Sequence, residues 1–437
     1  MIAMPHRMPF ALLLALCTTV AACGGATAST RTTPRQPDQV VDMEEMHITA
    51  HRGETGQLAF ESYDAETLFR RATDLLNRGR CLEGVRYYDR VASEFQTSRY
   101  YSPSLYNAGL CLLDNQRYLE AEERFRTLVE RVPGSSDVKD AQFQRAGILI
   151  KLERWDDALA TAERLLTRED LSSEERVEAM ARRAQAHFGA SRMPDAERAA
   201  QETLTYYRTR PDNEHVRDPF FAAAANFIVA ETLRARSQTI VIPQAPTEEQ
   251  HRVLNARAAV LLQAQTEYFN TIRLTDATWA AASGYRIGAM YDDFWQAIMT
   301  SPVPPRPDLS ASNRRVFNEE YRRSLADMVK PLLRHAIRYW ELTLMMVERT
   351  GIRTDWSERT RADLERVRAL LVEQAPRAGG VAPASTSAPD AAASPAPGGA
   401  SPAPAAPAPA GSLAPASPGG ESGAALAPAP ASRAPAP

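Results

Sequence analysis

The stretch Ser102-Pro-Ser-Leu-Tyr-Asn-Ala-Gly-Leu-Cys-Leu-Leu-Asp-Asn-Gln-Arg-Tyr-Leu-Glu-Ala-Glu-Glu-Arg-Phe-Arg-Thr-Leu-Val-Glu-Arg-Val-Pro-Gly-Ser135 decides the fold. Its apolar and small residues recur at the spacing of two amphipathic helices: Leu105, Ala108, Gly109, Leu112, Ala121 and Phe125. Gly109 and Ala121 are small enough for the two helices to pack closely. Phe125 is placed to fill the gap beside a neighbouring pair. The pattern predicts a helical hairpin that needs a neighbour to bury its apolar face.

The same pattern recurs along the chain. Ala121 aligns with Gly84 before it and with Ala158 and Ala196 after it, at steps of 37, 37 and 38 residues. Tyr88 follows Gly84 at the position that Phe125 takes after Ala121. A repeat of this length predicts stacked helical hairpins, which is an all-α solenoid.

These residues resemble the tetratricopeptide repeat, W-x2-L-G-x2-Y followed by A-x3-F and P. The resemblance implies regular tetratricopeptide units over residues 63–216. It also implies divergent, tetratricopeptide-like helical repeats with long helices over residues 217–374. Proteins of this family are scaffolds for protein–protein interaction, so we expect protein or peptide partners.

Residues 1–22 have the features of a secretory signal: Arg7, an apolar run over residues 10–17, and small residues before Cys23. The end Val20-Ala-Ala-Cys23 resembles the bacterial lipobox. This resemblance implies cleavage after Ala22 and diacylglyceryl and N-acyl chains, such as palmitate, on Cys23. Two or more chains give stable membrane anchoring. The alternative is an ordinary secretory signal that is cut nearby.

Two segments of low complexity flank the helical region. Residues 23–62 start with small and polar residues and predict a flexible tether. Residues 375–437 are rich in Ala, Pro, Ser and Gly, so we expect a disordered tail that can lie near peptidoglycan. An Asp directly after Cys23 would resemble an inner-membrane retention signal. Gly24 stands there instead, which favours the outer membrane and a periplasm-facing protein.

The sequence after residue 284 suggests a narrower resemblance. Tyr285–Tyr291, the proline-rich break at 301–307, Val329–Leu333 and Ile337–Trp340 look like tetratricopeptide proteins of myxobacteria and related delta-proteobacteria. That group includes proteins of the gliding-motility machinery. The resemblance implies a lipid-anchored scaffold that binds envelope proteins. Two alternatives are a biogenesis factor similar to the tetratricopeptide lipoprotein of the β-barrel assembly machine, and a peptidoglycan-associated enzyme or regulator.

In tetratricopeptide arrays the first helices of the hairpins form the concave, partner-binding face. Projection of the repeat predicts these side chains there: Phe69, Arg70, Tyr106, Asn107, Leu110, Phe143, Gln144, Ile150, Arg182, Gln185 and Phe188. Aromatic, amide and Arg side chains suit an extended peptide or a partner helix. The alternative for each is packing against the next repeat. Asn107 fits the family's carboxylate clamp, whereas Phe69, Thr73 and Asp140 depart from it.

The chain offers little sign of other chemistry. Cys81 and Cys111 fall at one edge of adjacent helices in the repeat frame, which predicts a disulfide with Cα atoms 5–6 Å apart, or else two buried thiols. The sequence has no nucleophile elbow, phosphate-binding loop or zinc-protease motif. We therefore expect a protein that is not an enzyme and has no cofactor or metal. The formal charge of −3 argues against nucleic acid as a partner.

Overall fold

The computed structural model describes residues 45–52, 57–210 and 216–373, which all lie in one compact unit. Thirteen α-helices and one two-stranded sheet make up these residues. In this described part of the chain, no helix is both long and apolar enough to cross a membrane. The signal segment 1–22, Cys23 and the tail 375–437 lie outside the described residues.

The first eight helices form four antiparallel hairpins in chain order. Their bounds are α1 (Ala65–Asn77) with α2 (Cys81–Glu94), α3 (Tyr101–Asp114) with α4 (Tyr118–Arg131), α5 (Asp137–Lys151) with α6 (Trp155–Leu166), and α7 (Ser173–Gly189) with α8 (Met193–Thr209). Each hairpin also packs against the next one. The predicted all-α solenoid of stacked hairpins is confirmed.

Glycine makes the close helix contacts that the repeat pattern predicts. A Cβ atom on Gly84 would lie 2.8 Å from the carbonyl oxygen of Ala72, and one on Gly109 would lie 2.7 Å from the Phe125 ring. Both distances are too short for a real Cβ contact. Phe125 is fully buried, so the ring occupies the space that the missing side chain leaves free.

The second half of the fold has longer helices: α9 (Phe220–Gln238), α10 (Thr247–Arg273), α11 (Ala277–Met299), α12 (Ala311–Thr350) and α13 (Asp355–Glu373). The pairs α9–α10 and α11–α12 are hairpins, and α13 packs on α12 and α11. Gly288 also allows a close contact between helices, because a Cβ added there would lie 2.3 Å from Nε1 of the buried Trp340.

A buried charge cluster joins α9, α10 and α11. The Glu231 carboxylate is 2% exposed and lies 3.2 Å from the Arg234 guanidinium and 3.0 Å from that of Arg286. The Tyr268 hydroxyl donates a hydrogen bond to the same carboxylate. Burial raises the pKa of Tyr268 well above its ordinary value, and the nearby charge of Glu231 raises it further. The cluster fixes the register of the three helices.

The structure corrects part of the tether predicted for residues 23–62, of which residues 23–44 and 53–56 lie outside the described residues. Residues Met46–Arg52 (β1) and Leu58–Asp64 (β2) form an antiparallel hairpin with His47 opposite Tyr63. The His47 ring lies 4.5 Å from the Phe95 ring, centroid to centroid, and Tyr63 packs in the same cluster. The hairpin therefore covers the end of the first repeat, where the described residues hold no preceding repeat.

Candidate functional site

The first helices form the closely packed side of the solenoid. Each first helix contacts the next one, from α1 to α3, α5, α7, α9 and α11 in turn. Between consecutive second helices the described residues show no comparable contact. A stack whose first helices approach each other more closely than its second helices curves towards the first helices. That side is the concave face.

The eleven predicted concave residues all lie on the first helices α1, α3, α5 and α7. Arg70 is exposed and pairs with Glu66 on its own helix. Phe143 is buried at 7% exposure. The other nine are half-buried: Phe69, Tyr106, Asn107, Leu110, Gln144, Ile150, Arg182, Gln185 and Phe188.

Several of the predicted apolar residues serve the core. Phe143 packs with Leu165 and Ala179, which removes it from the open surface. Leu110, Ile150 and Phe188 rest against buried clusters of their own repeats. For Phe143, the prediction of a contact surface is corrected to packing against the next repeat.

The aromatic residues at the start of the face pack on their own hairpins, and Phe69 also reaches Tyr100 just before the next hairpin. The Phe69 ring lies 5.5 Å from the Tyr88 ring and 5.0 Å from the Tyr100 ring, centroid to centroid. The Tyr106 ring lies 5.8 Å from the Phe125 ring. Because both are half-buried, each supports the stack with one side of the ring and leaves the other towards the groove.

Arg182 lies where three first helices meet. Its Nη2 atom is 3.3 Å from Oε1 of Glu178, one turn earlier on α7. Its guanidinium lies 4.9 Å from the centroid of the Phe221 ring on α9. The absence of a side chain at Gly147 on α5 makes room for it, since a Cβ there would lie 3.1 Å from Nη2.

A row of carboxylates crosses the same face, and we call it the acidic row. Asp140 lies one turn before Gln144 on α5, and Glu178 lies one turn before Arg182 on α7, so each shares the face of its predicted neighbour. The row continues to the starts of α9 and α11. Its members are Asp137, Asp140, Glu175, Glu178, Asp218 and Asp276.

Electrostatic coupling links the members of the row. Burial raises the pKa of Asp140, and the nearby charges of Glu175 and Asp137 raise it further against the opposing Lys139. Burial also raises the pKa of Glu178, with Glu175 and Asp218 adding to the effect against Arg182.

The coupling extends to both ends of the row. Burial raises the pKa of Asp276, and the charge of Asp218 adds to that rise. Burial and the charges of Asp140 and Asp137 together raise the pKa of Tyr106 to about 12. The face therefore carries more negative charge than Lys139 and Arg182 neutralise.

Gln185 adds an unmatched acceptor to this face. Its Oε1 atom is buried and has no hydrogen-bond partner in the described protein. Gln185 lies on α7, three residues beyond Arg182.

The predicted disulfide is present at the edge of the face. Cys81 at the start of α2 is bonded to Cys111 near the end of α3, and their Cα atoms are 5.8 Å apart. The bond joins the first hairpin to the second. Within the described residues, no three His, Cys, Asp or Glu side chains are grouped so that they could hold a metal ion.

Comparison with known proteins identifies the repeat. Residues 69–136 and 143–214 match the sequence profile described as tetratricopeptide repeat. The matched residues cover most of α1–α8, so these four hairpins have the sequence pattern of tetratricopeptide repeats. No curated protein matches the chain.

Several solved structures are similar to parts of the chain. MamA residues 41 to the end from Desulfovibrio magneticus RS-1 is 16% identical, over 48% of this chain and 94% of that one, with a TM-score of 0.33. A tetratricopeptide repeat protein from Parabacteroides merdae is 14% identical, over 70% and 98%, with a TM-score of 0.34. YrrB, a tetratricopeptide protein with an unusual peptide-binding site, is 16% identical, over 48% and 92%, with a TM-score of 0.32.

The acidic row is the feature that sequence analysis missed. The carboxylates looked like solvated helix surface, because acidic and Arg residues alternate along these helices. One signal was available: Asp140 and Glu178 are 38 residues apart, which is one repeat step. A carboxylate repeated at that spacing returns to the same face of the solenoid.

Proposed function

We propose that the protein is an interaction scaffold whose concave face binds an extended, positively charged segment of a partner protein. The observation that carries this proposal is the acidic row, which runs across consecutive first helices of tetratricopeptide repeats. Burial raises the pKa of Asp140, and the charges of Glu175 and Asp137 raise it further although Lys139 pairs with Glu175 at 2.7 Å. Lys or Arg side chains of a partner would relieve that repulsion.

The groove offers more than charge. The half-buried Tyr106 and Gln144 can contact the main chain and side chains of a peptide between the carboxylates. The row also departs from the carboxylate clamp of tetratricopeptide proteins, because that clamp uses cationic and amide side chains and binds acidic tails. Asp140 places the opposite charge at one of the clamp positions.

We further propose that the scaffold is a lipoprotein of the outer membrane that faces the periplasm. The lipobox-like Val20–Cys23 supports the anchor, and Gly24 supports the choice of membrane. The Cys81–Cys111 bond supports an oxidising compartment. The partner is then a protein or peptide of an envelope complex, with gliding motility as the first pathway to examine.

A crosslinked pull-down from membranes tests both parts of the proposal. The full chain is compared with Cys23→Ala, which removes the anchor, and with a groove variant that combines Asp140→Asn and Glu178→Gln. A matched control combines Glu123→Gln and Glu130→Gln, two exposed carboxylates on α4. We expect a discrete set of envelope proteins that the groove variant loses and the control keeps.

The captured proteins also separate the alternatives. A β-barrel assembly protein in the set would indicate the biogenesis factor, and activity of the purified chain on peptidoglycan would indicate an enzyme or regulator. An unchanged set with the groove variant would overturn the binding face. An unchanged set with a soluble Cys23→Ala protein would show that anchoring is not needed for scaffolding.

A further inference from the structure

A second cleft lies far along the chain from the acidic row, and its charge is opposite. It has a volume of about 560 Å³ and lies between the proline-rich loop 302–307 and the first half of α12. Three Arg side chains line it together with the amides of Gln244 and Asn318: Arg306, Arg314 and Arg322. The lining contains no carboxylate.

The spacing of residues on α12 places two of these cations, Arg314 and Arg322, beside the cleft. Arg314, Asn318 and Arg322 follow each other at intervals of four residues, which places them on one face of the helix. Their neighbours Arg315 and Arg323 fall on another face and do not line the cleft. Arg323 instead pairs with Glu320 at 3.0 Å.

Two of the three guanidinium groups form no ion pair in the described part of the chain, although the charge of Arg314 adds to the effect of Arg306 in lowering the pKa of Asp308. Arg306 makes a paired contact with Asp308, at 2.9 Å and 2.6 Å. Arg314 donates to the backbone oxygen of Leu309 at 3.0 Å, and Arg322 donates to that of Met299 at 3.2 Å. Across residues 45–52, 57–210 and 216–373, neither Arg314 nor Arg322 forms an ion pair.

The walls of the cleft are held in place. The buried side chain of Gln250 donates 2.9 Å hydrogen bonds to the backbone oxygens of both Pro243 and Pro302. It thereby ties the loop after α9 to the loop after α11. The Arg306 guanidinium lies 5.1 Å from the centroid of the Phe317 ring, which anchors the proline-rich loop on α12.

We propose that this cleft binds an acidic peptide segment with two carboxylates about four residues apart. Eight residues of helix separate Arg314 from Arg322, which is about 12 Å along the axis. An extended peptide covers that distance in about four residues. Arg guanidinium groups pair well with carboxylates, and the amides of Gln244 and Asn318 can bond to the main chain between them. This site goes beyond the concave face and does not depend on it.

Isothermal titration calorimetry on the purified chain tests the proposal. The probe is acetyl-Asp-Ser-Gly-Ser-Asp-amide at low salt, and the control peptide carries Asn in place of both Asp residues. We expect binding of the acidic peptide only, with an affinity that falls as salt is added. The variant with Arg314→Gln and Arg322→Gln should lose about tenfold in affinity.

The control is the variant with Arg315→Gln and Arg323→Gln, which removes the same charge from the same helix. Its affinity should stay within about twofold of the starting chain. Thermal unfolding by circular dichroism checks that each variant folds. If the change at Arg322 disturbs the end of α11, Arg314→Gln alone is compared with Arg315→Gln alone.

Three results would overturn the proposal. One is no binding of the acidic peptide, and another is an equal loss in both double variants. The third is tight binding of pyrophosphate by a chain that ignores the peptide, which would assign the cleft to a phosphate ligand. None of these results bears on the acidic row, because the charges of the two sites have opposite sign and the variants do not overlap.

Discussion

Single small residues set the distance between helices in this solenoid. Gly109 is the clearest case, because a Cβ there would lie 2.7–3.0 Å from three atoms of the Phe125 ring. Phe125 is fully buried, so its ring has no free space to move into. The helix must therefore move, or the ring must leave its rotamer, to accept even one methyl group.

Gly109→Ala should therefore lower the free energy of unfolding by about 1–3 kcal/mol, although Ala is the better helix former. The measurement is a urea unfolding curve followed by circular dichroism. Gly134→Ala is the control, since nothing lies within 4 Å of its added Cβ. A variant at Gly109 that is as stable as the control would show that the packing adapts without cost.

Three carboxylates of the acidic row, Asp140, Glu178 and Asp276, work against the stability of the fold. Burial and like charge raise the pKa of Asp140, so the folded protein holds that proton more tightly than the unfolded chain does. Such a group lowers stability above its folded pKa. This loss disappears as the pH falls below the unfolded value of about 3.9. A carboxylate that lowers the stability of the fold is consistent with a role in binding a partner.

Asp140→Asn should therefore raise the thermal midpoint at neutral pH, and the gain should shrink towards zero as the pH falls to about 3. Asp114→Asn, an exposed residue at the end of α3, is the control and should show no such pH-dependent gain. Midpoints measured from pH 3 to 8 test this. A gain that stays constant over the whole range would mean that the charge of Asp140 is not the cause.

At the scale of elements, the disulfide links two hairpins that otherwise depend on non-covalent contacts. Cys81 and Cys111 are 30 residues apart and join the start of α2 to the end of α3. The bond restricts the unfolded chain by closing a loop of that length. It complements the ion pair between Asp89 on α2 and Arg124 on α4, which joins the same two hairpins.

Replacing both cysteines with Ala should cost about 3–4 kcal/mol by the loop-entropy relation. Urea unfolding of the double variant, beside the starting chain with and without reductant, measures this loss. The reduced starting chain should behave like the double variant. If reductant changes nothing in a chain whose thiols are shown to be free, the bond contributes no stability.

The elements also show how far the sequence predicts the structure. The hairpins around Gly84, Ala121, Ala158 and Ala196 follow from residue size at a fixed spacing, which is local information. The β hairpin was missed although Met46 and Ile48 alternate with the polar His47 and Thr49, as residues of a strand do. The acidic row could not be predicted in full from the sequence, because its members come from four first helices and meet only after these helices stack.

On the scale of the whole molecule, the solenoid is a row of units that contact only their neighbours. The described contacts run from each hairpin to the next, without long-range closure from α1–α4 to α9–α13. Stability in such an array is the sum of the units and their interfaces, so damage should stay local. The two ends also carry different cores, one built around Phe125 and the other around Glu231 and Trp340.

Hydrogen exchange followed by mass spectrometry tests this independence. Gly109→Ala should reduce protection in α2–α5 and leave α9–α12 unchanged. Glu231→Ala should do the reverse, because it leaves Arg234, Arg286 and Tyr268 without their buried carboxylate, at a cost of about 3–5 kcal/mol. Loss of protection along the whole chain in either variant would show instead that the solenoid unfolds as one cooperative unit. In that case, binding at the acidic row would also stabilise the distant cleft that Arg306, Arg314 and Arg322 line. If damage stays local, the two sites are free to take their partners independently, as a scaffold requires.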